Sequence, residues 1–178
     1  MQSSNVVEIV KKGSKMFRKV YISIVAMLIS SSAIADHHET ATVEDEKGCK
    51  VYNPAPQQNE SISWDGQCKN GFAHGKGTLN WFINGELKER YVGELADGWA
   101  EGEGTYISDN GTRYRGHWVR SKQTGQGQIV NPDGSSYQGE WLNGRPHGVG
   151  TYRAPNGEIT EGEWENGNLK YETDGRRI

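Results

Sequence analysis

Between Tyr91 and Glu165 the chain alternates between ring-bearing or glycine positions and polar ones. In RYRGHW, Tyr114, Gly116 and Trp118 stand at every second residue, with Arg115 and His117 between them. In a strand, residues two apart share a face, so the rings and the glycine fall on one side and the polar groups on the other. Tyr137, Gly139 and Trp141 repeat the pattern, as do Thr160, Gly162 and Trp164. A second strand is expected after each G-x-G, as in Gly104-Thr105-Tyr106 and Gly150-Thr151-Tyr152. Between the strands stand Ser108-Asp109-Asn110-Gly111, Asn131-Pro132-Asp133-Gly134 and Ala154-Pro155-Asn156-Gly157. Pro presets φ and Gly accepts positive φ, so these are turns. The other connections are Asn70-Gly71, Asp97-Gly98, Asn143-Gly144 and Asn166-Gly167.

The units recur at a fixed step. Gly66, Gly93, Gly116, Gly139 and Gly162 are separated by 27, 23, 23 and 23 residues, and a G-x-G begins nine residues after each of the first four. A period in the twenties signals a repeat array. The composition fits: 24 Gly, 6 Trp and 8 Tyr with only 33% hydrophobic residues leave too little aliphatic side chain for an ordinary core. A ring from a neighbouring position can lie over a mid-strand glycine and supply the missing apolar cover. The expected fold is all-β, an elongated open antiparallel sheet of consecutive hairpins. About nine strands would make it roughly 40 Å long.

The segment YQGEWLNGRPHGVGTYRAPNG (Tyr137 to Gly157) resembles the MORN repeat, with its Y-x-G-x-W-x-x-G-x-x-H-G-x-G pattern. The resemblance extends over residues 61–170, with four full units and a final half that stops after its first strand. The first unit departs from the pattern at Trp64, at Cys68 and in four extra residues around Trp81. The second departs at Leu95 and Glu101, and the third at Ser121 and Thr124. The resemblance implies a scaffold or binding role, with proposed attachment to proteins or phospholipid.

The N-terminal stretch differs from the array. Lys11, Lys12, Lys15, Arg18 and Lys19 precede an apolar run from Val20 to Ile29 and then Ser30-Ser31-Ser32-Ala33-Ile34-Ala35. Residues 1–35 read as a secretory signal cleaved after Ala35, which directs the chain to the periplasm or outside the cell. Losing those five cations and one anion, Glu8, moves the net charge from −3 to −7. That charge disfavours nucleic acid and anionic lipid. Residues 36–60 read as a flexible acidic linker and 171–178 as a polar tail. The two cysteines of the exported part, Cys49 and Cys68, are expected to form a disulfide.

No nucleophile–base pair or metal-ligand spacing stands out, so the chain reads as a non-enzyme without a cofactor. His74 and His147, each just before a G-x-G, read as structural groups near a turn. Glu94, Glu140 and Glu163 recur about 10 Å apart as a solvated face. Cleavage after Ala35 would expose Asp36-His37-His38, whose amine, amides and imidazole suit Cu(II) or Ni(II). The leading expectation is a protein-interaction or scaffold module of the cell envelope, with a protein partner and a weak homodimer through the sheet edge. That edge would be the final strand, carrying Glu161, Glu163 and Glu165. The alternative is an envelope-glycan or lipid module whose binding face is Tyr91, Tyr114, Trp118, Tyr137, Trp141 and Trp164.

Overall fold

The computed structural model describes residues 41–173. The expected signal, Asp36-His37-His38 and the last five residues of the tail lie outside them. Thirteen strands form one open sheet. They are β1 (Thr42–Glu44), β2 (Lys50–Tyr52), β3 (Glu60–Trp64), β4 (Gln67–Lys69), β5 (Phe72–Ile83), β6 (Glu86–Ala96) and β7 (Trp99–Ser108). The rest are β8 (Arg113–Val119), β9 (Lys122–Val130), β10 (Ser136–Leu142), β11 (Arg145–Arg153), β12 (Ile159–Glu165) and β13 (Asn168–Glu172). From β5 to β13 each strand pairs antiparallel with its chain neighbour, as the hairpin pattern predicts. The count exceeds nine because the first unit's leading strand is split into β3 and β4, and because β1, β2 and β13 were not expected.

The turns follow from their residues. In the Ser108, Asn131 and Ala154 turns, the fourth residue's N–H donates to the first residue's carbonyl at 2.9–3.0 Å. Asn143 (φ 50°) and Gly144 (φ 78°) both lie in the left-handed region, as a two-residue type I′ hairpin turn requires. Arg120 (φ 46°) and Ser121 (φ 59°) adopt the same shape without glycine. The Ser121 hydroxyl accepts a 3.0 Å bond from the buried N–H of Ala100. The serine thereby supplies an acceptor where the repeat pattern has glycine.

Glycines pair across strands in register: Gly93 with Gly104, Gly116 with Gly104 and Gly127, and Gly139 with Gly127 and Gly150. Each pair forms a floor on which a ring lies. A Cβ on Gly116 would stand 2.6 Å from Tyr114 Oη and 2.6 Å from Gly127 Cα. Side chains are therefore excluded by the tyrosine two residues earlier. In the first unit Trp64 takes the tyrosine's place, lying over Gly66 and Gly77. Its indole donates to the carbonyl of Gln67, three residues on, as Tyr91 Oη donates to that of Glu94.

Both ends differ from expectation. Residues 36–60 are not a flexible linker throughout: β1 and β2 form a hairpin, with Val51 and Cys49 buried and Cys49 bonded to Cys68 across a Cα–Cα distance of 5.5 Å. Asp45 organises its turn by accepting the N–H groups of Lys47 and Cys49, both at 2.9 Å. The final unit is a complete hairpin. Strand β13 pairs with β12, so Tyr171 and Glu172 belong to the array and the glutamate-bearing strand is covered on both sides.

Candidate interaction surfaces

The six aromatic residues that the alternative reading makes a binding face are the core, as their expected role of covering the glycines requires. Their exposures are 1% (Tyr91), 0% (Tyr114), 0% (Trp118), 0% (Tyr137), 4% (Trp141) and 6% (Trp164). The rings cover one another. Tyr91, Trp118, Tyr114, Trp141, Tyr137, Trp164 and Tyr152 run as a chain of edge-to-face contacts, with centroids 5.0–6.3 Å apart. That geometry sets a positive ring edge against a negative ring face. Their polar atoms are satisfied internally. The indoles of Trp118, Trp141 and Trp164 donate to the carbonyls of Gly104, Gly127 and Gly150 at 3.1–3.2 Å. The hydroxyls of Tyr114 and Tyr137 donate to the carbonyls of His117 and Glu140. Burial pushes the pKa of Tyr91, Tyr114 and Tyr137 well above the ordinary phenol value. The layer has no ring face left for a sugar or an acyl chain, which overturns the aromatic binding face.

The histidine position is structural where its partner is defined. His74 accepts the N–H of Asp97, a left-handed turn residue of the next unit, at 3.4 Å. Glu101, at the same position one unit later, accepts the N–H of Arg120 at 2.9 Å. In these two units the position braces the neighbouring turn, whereas the Nδ1 of His147, at the same position in the fourth unit, is buried with no hydrogen-bond partner among the described residues. Among the described residues no cluster of three or more His, Cys, Asp or Glu side chains is arranged to hold a metal.

The opposite face of the sheet is open. Alternation assigns to it Val92, Val119, Val130, Leu142, Val149 and Ile159, six of the seven exposed large apolar side chains among the described residues. Strand pairing aligns them with charge. One cross-strand row reads Arg90, Ile107, Arg113, Val130, Ser136, Arg153, Ile159. Four residues along the strands, towards the Asp97-Gly98, Asn143-Gly144 and Asn166-Gly167 turns, stand Glu94, Glu103, Glu140 and Glu163, all exposed. The sequence reading finds the recurring glutamates but not their alignment with the arginines and the exposed aliphatic side chains. The partners in the arginine row are alternately 17 and 6 residues apart in sequence, and only the register aligns them. Near the N-terminal end this face is hollowed into a groove of about 670 Å³, bounded by Asp65, Lys76, Thr78, Val92, Glu94 and Glu103.

No curated protein matches the chain. A family model, the MORN repeat, matches residues 64–85, 91–113, 114–136 and 137–159, just over half of the sequence. The matched segments coincide with the hairpins whose glycine floors and rings are described above. MORN repeats act generally as binding or scaffold modules, through protein or membrane-lipid contacts, and are typically non-catalytic. The chain belongs to the MORN repeat family.

Proposed function

We propose that this chain is a non-enzymatic protein-interaction or scaffold module of the cell envelope, exported by residues 1–35, and that it binds through the open face. One observation carries the reading: the rings that dominate the sequence are sealed, while the exposed aliphatic side chains gather on the other face beside an arginine row and a glutamate row. Apolar anchors rimmed by charge are the usual composition of a protein-binding surface. The partner would be elongated, with acidic groups over the arginines and basic groups over the glutamates. Charge of this kind sets orientation and choice of partner more than affinity.

The test is retention of a partner from envelope extract by wild type and by an Arg113→Glu, Arg153→Glu variant. Both arginines are exposed and bear no part of the core. A protein held by wild type and released by the variant, at unchanged melting temperature, is the expected result. Equal retention by both would move binding off the open face.

A further inference from the structure

Six Asn-Gly pairs stand in this chain, at Asn70, Asn84, Asn110, Asn143, Asn156 and Asn166. Asn-Gly is open to succinimide chemistry because glycine puts no side chain between its own nitrogen and the asparagine carboxamide. Four of the six share one backbone shape. Asn70, Asn84, Asn143 and Asn166 have φ of 50–53°, and the glycines that follow them have φ of 78–85°. These are the angles of a type I′ turn. What differs among the four is the hydrogen bonding around them.

Two of the four are locked by the unit before them. Gly144 and Gly167 donate their N–H groups to the carbonyls of Gln123 and Pro146, both at 2.9 Å. Gly98 and Ser121 make the same bond to Ala73 and Ala100. Gly71 opens this series and has no repeat before it. Asn84 lies outside the series but is held by Asn59. It donates its N–H to the Asn59 carbonyl at 3.0 Å, and its Oδ1 accepts from Asn59 Nδ2 at 2.9 Å. The last two pairs are held at both residues. Gly111 and Gly157 donate to the carbonyls of Ser108 and Ala154, and the Oδ1 atoms of Asn110 and Asn156 accept the N–H groups of Thr112 and Glu158. Of the six pairs, only Asn70-Gly71 has neither its carboxamide nor its glycine N–H engaged among the described residues, and both residues are exposed.

We propose that Asn70 is a site of spontaneous deamidation, and that its product loosens the N-terminal end of the array. The Gly71 backbone nitrogen gives up its proton and attacks Asn70 Cγ. A C–N bond forms, the Cγ–Nδ2 bond breaks, and ammonia leaves behind a succinimide ring. Water then opens the ring at either carbonyl. One opening gives aspartate. The other gives isoaspartate, whose main chain runs through the side-chain carbon. One water is consumed and one ammonia released, and nothing is oxidised or reduced. The isoaspartyl link adds a backbone atom to a turn closed by Asn70 and Gly71 alone. Lys69 pairs with Phe72 across that turn, and the Gly71 carbonyl accepts the Lys50 N–H at 2.9 Å. The longer turn shifts this carbonyl, so the β1–β2 hairpin loses a contact with the array while Cys49–Cys68 keeps it tethered. The modification is independent of the open face and of any partner bound there.

The test is peptide mapping by mass spectrometry on the folded, oxidised chain held at mildly alkaline pH, beside a sample unfolded in urea. Labelling by an isoaspartyl methyltransferase identifies the isoaspartyl product. In the folded chain Asn70 should deamidate first, about two- to tenfold faster than Asn143 and Asn166, the factor that one hydrogen bond is worth. In urea the six pairs should react at similar rates. Equal loss at Asn70, Asn143 and Asn166 in the folded chain would overturn the proposal. So would faster loss at Asn84, or an order that persists in urea. Amide exchange at Lys50 reads the consequence. It should quicken as Asn70 is converted and stay constant in an Asn70→Gly variant, which keeps the turn but has no carboxamide to attack. Unchanged exchange at Lys50 in the converted protein would refute the loosening.

Discussion

A glycine in mid-strand ordinarily weakens a sheet, because it adds backbone entropy and gives its neighbours nothing to pack against. Here a Cβ at Gly93 would stand 2.5 Å from Tyr91 Oη and 2.9 Å from Gly104 Cα. Valine has the higher strand propensity, yet Gly93→Val and Gly116→Val should destabilise the protein by about 2–3 kcal/mol, since overpacking forces ring and backbone apart. Arg115→Val and Gln138→Val, on the open face, should change little. Urea midpoints for the four variants check this; equal midpoints would mean the glycines are uncovered. The Arg120–Ser121 turn gives a second prediction. Arg120→Asn should stabilise by about 0.5–1 kcal/mol, because asparagine tolerates the left-handed region better than arginine. Ser121→Ala should cost about 1–2 kcal/mol by leaving the buried Ala100 N–H unpaired. The glycine floor was legible because Y-x-G-x-W fixes which residues share a face. The rescue by Ser121 was not, because its partner, Ala100, lies in the preceding unit.

The elements repeat the lesson on a larger scale. Hairpins between residues 86 and 165 follow from alternation and turn chemistry together, two independent signals that agree. The strands that escaped the sequence reading lack one or both. Strands β1 and β2 have three residues each, too short for a period to register, and they are held by Asp45, the disulfide and the stacking of Tyr52 on Trp99 at 4.4 Å. Strand β13, NLKYE, has no G-x-G to announce it. The aromatic chain has a consequence in alkali. The Tyr91, Tyr114 and Tyr137 phenols keep their protons in the folded state above the pH at which an unfolded tyrosine loses its own, because burial raises their pKa. A pKa raised on folding contributes stability that is full below the unfolded value, near 10, and falls as pH rises beyond it. Stability should therefore hold to about pH 10 and then drop steeply. Tyrosinate absorbance from these rings should appear together with the loss of far-ultraviolet circular dichroism. A smooth titration completed in the folded protein would show that the rings are open to water.

For the whole molecule, the two faces divide the work. One is a continuous aromatic core that ties each hairpin to the next; the other carries the charge rows and exposed aliphatic groups. The fold was readable from one sequence, since a periodic array states its packing many times over. The aromatic binding face stayed open as an alternative at the sequence level because alternation sorts residues into two faces without saying which is covered. Aromatic rings on a single-layer sheet look exposed until their edge-to-face contacts are known. The central claim is therefore that the rings are core. The most direct measurement is hydrogen exchange at the indole Nε1 protons of Trp118, Trp141 and Trp164, followed by nuclear magnetic resonance. Each donates to a glycine carbonyl in the preceding unit. The account predicts that all three exchange only through global unfolding, with protection matching the stability measured in urea. Fast exchange at any two of them in the native protein would contradict it and return the aromatic face to candidacy as a binding surface.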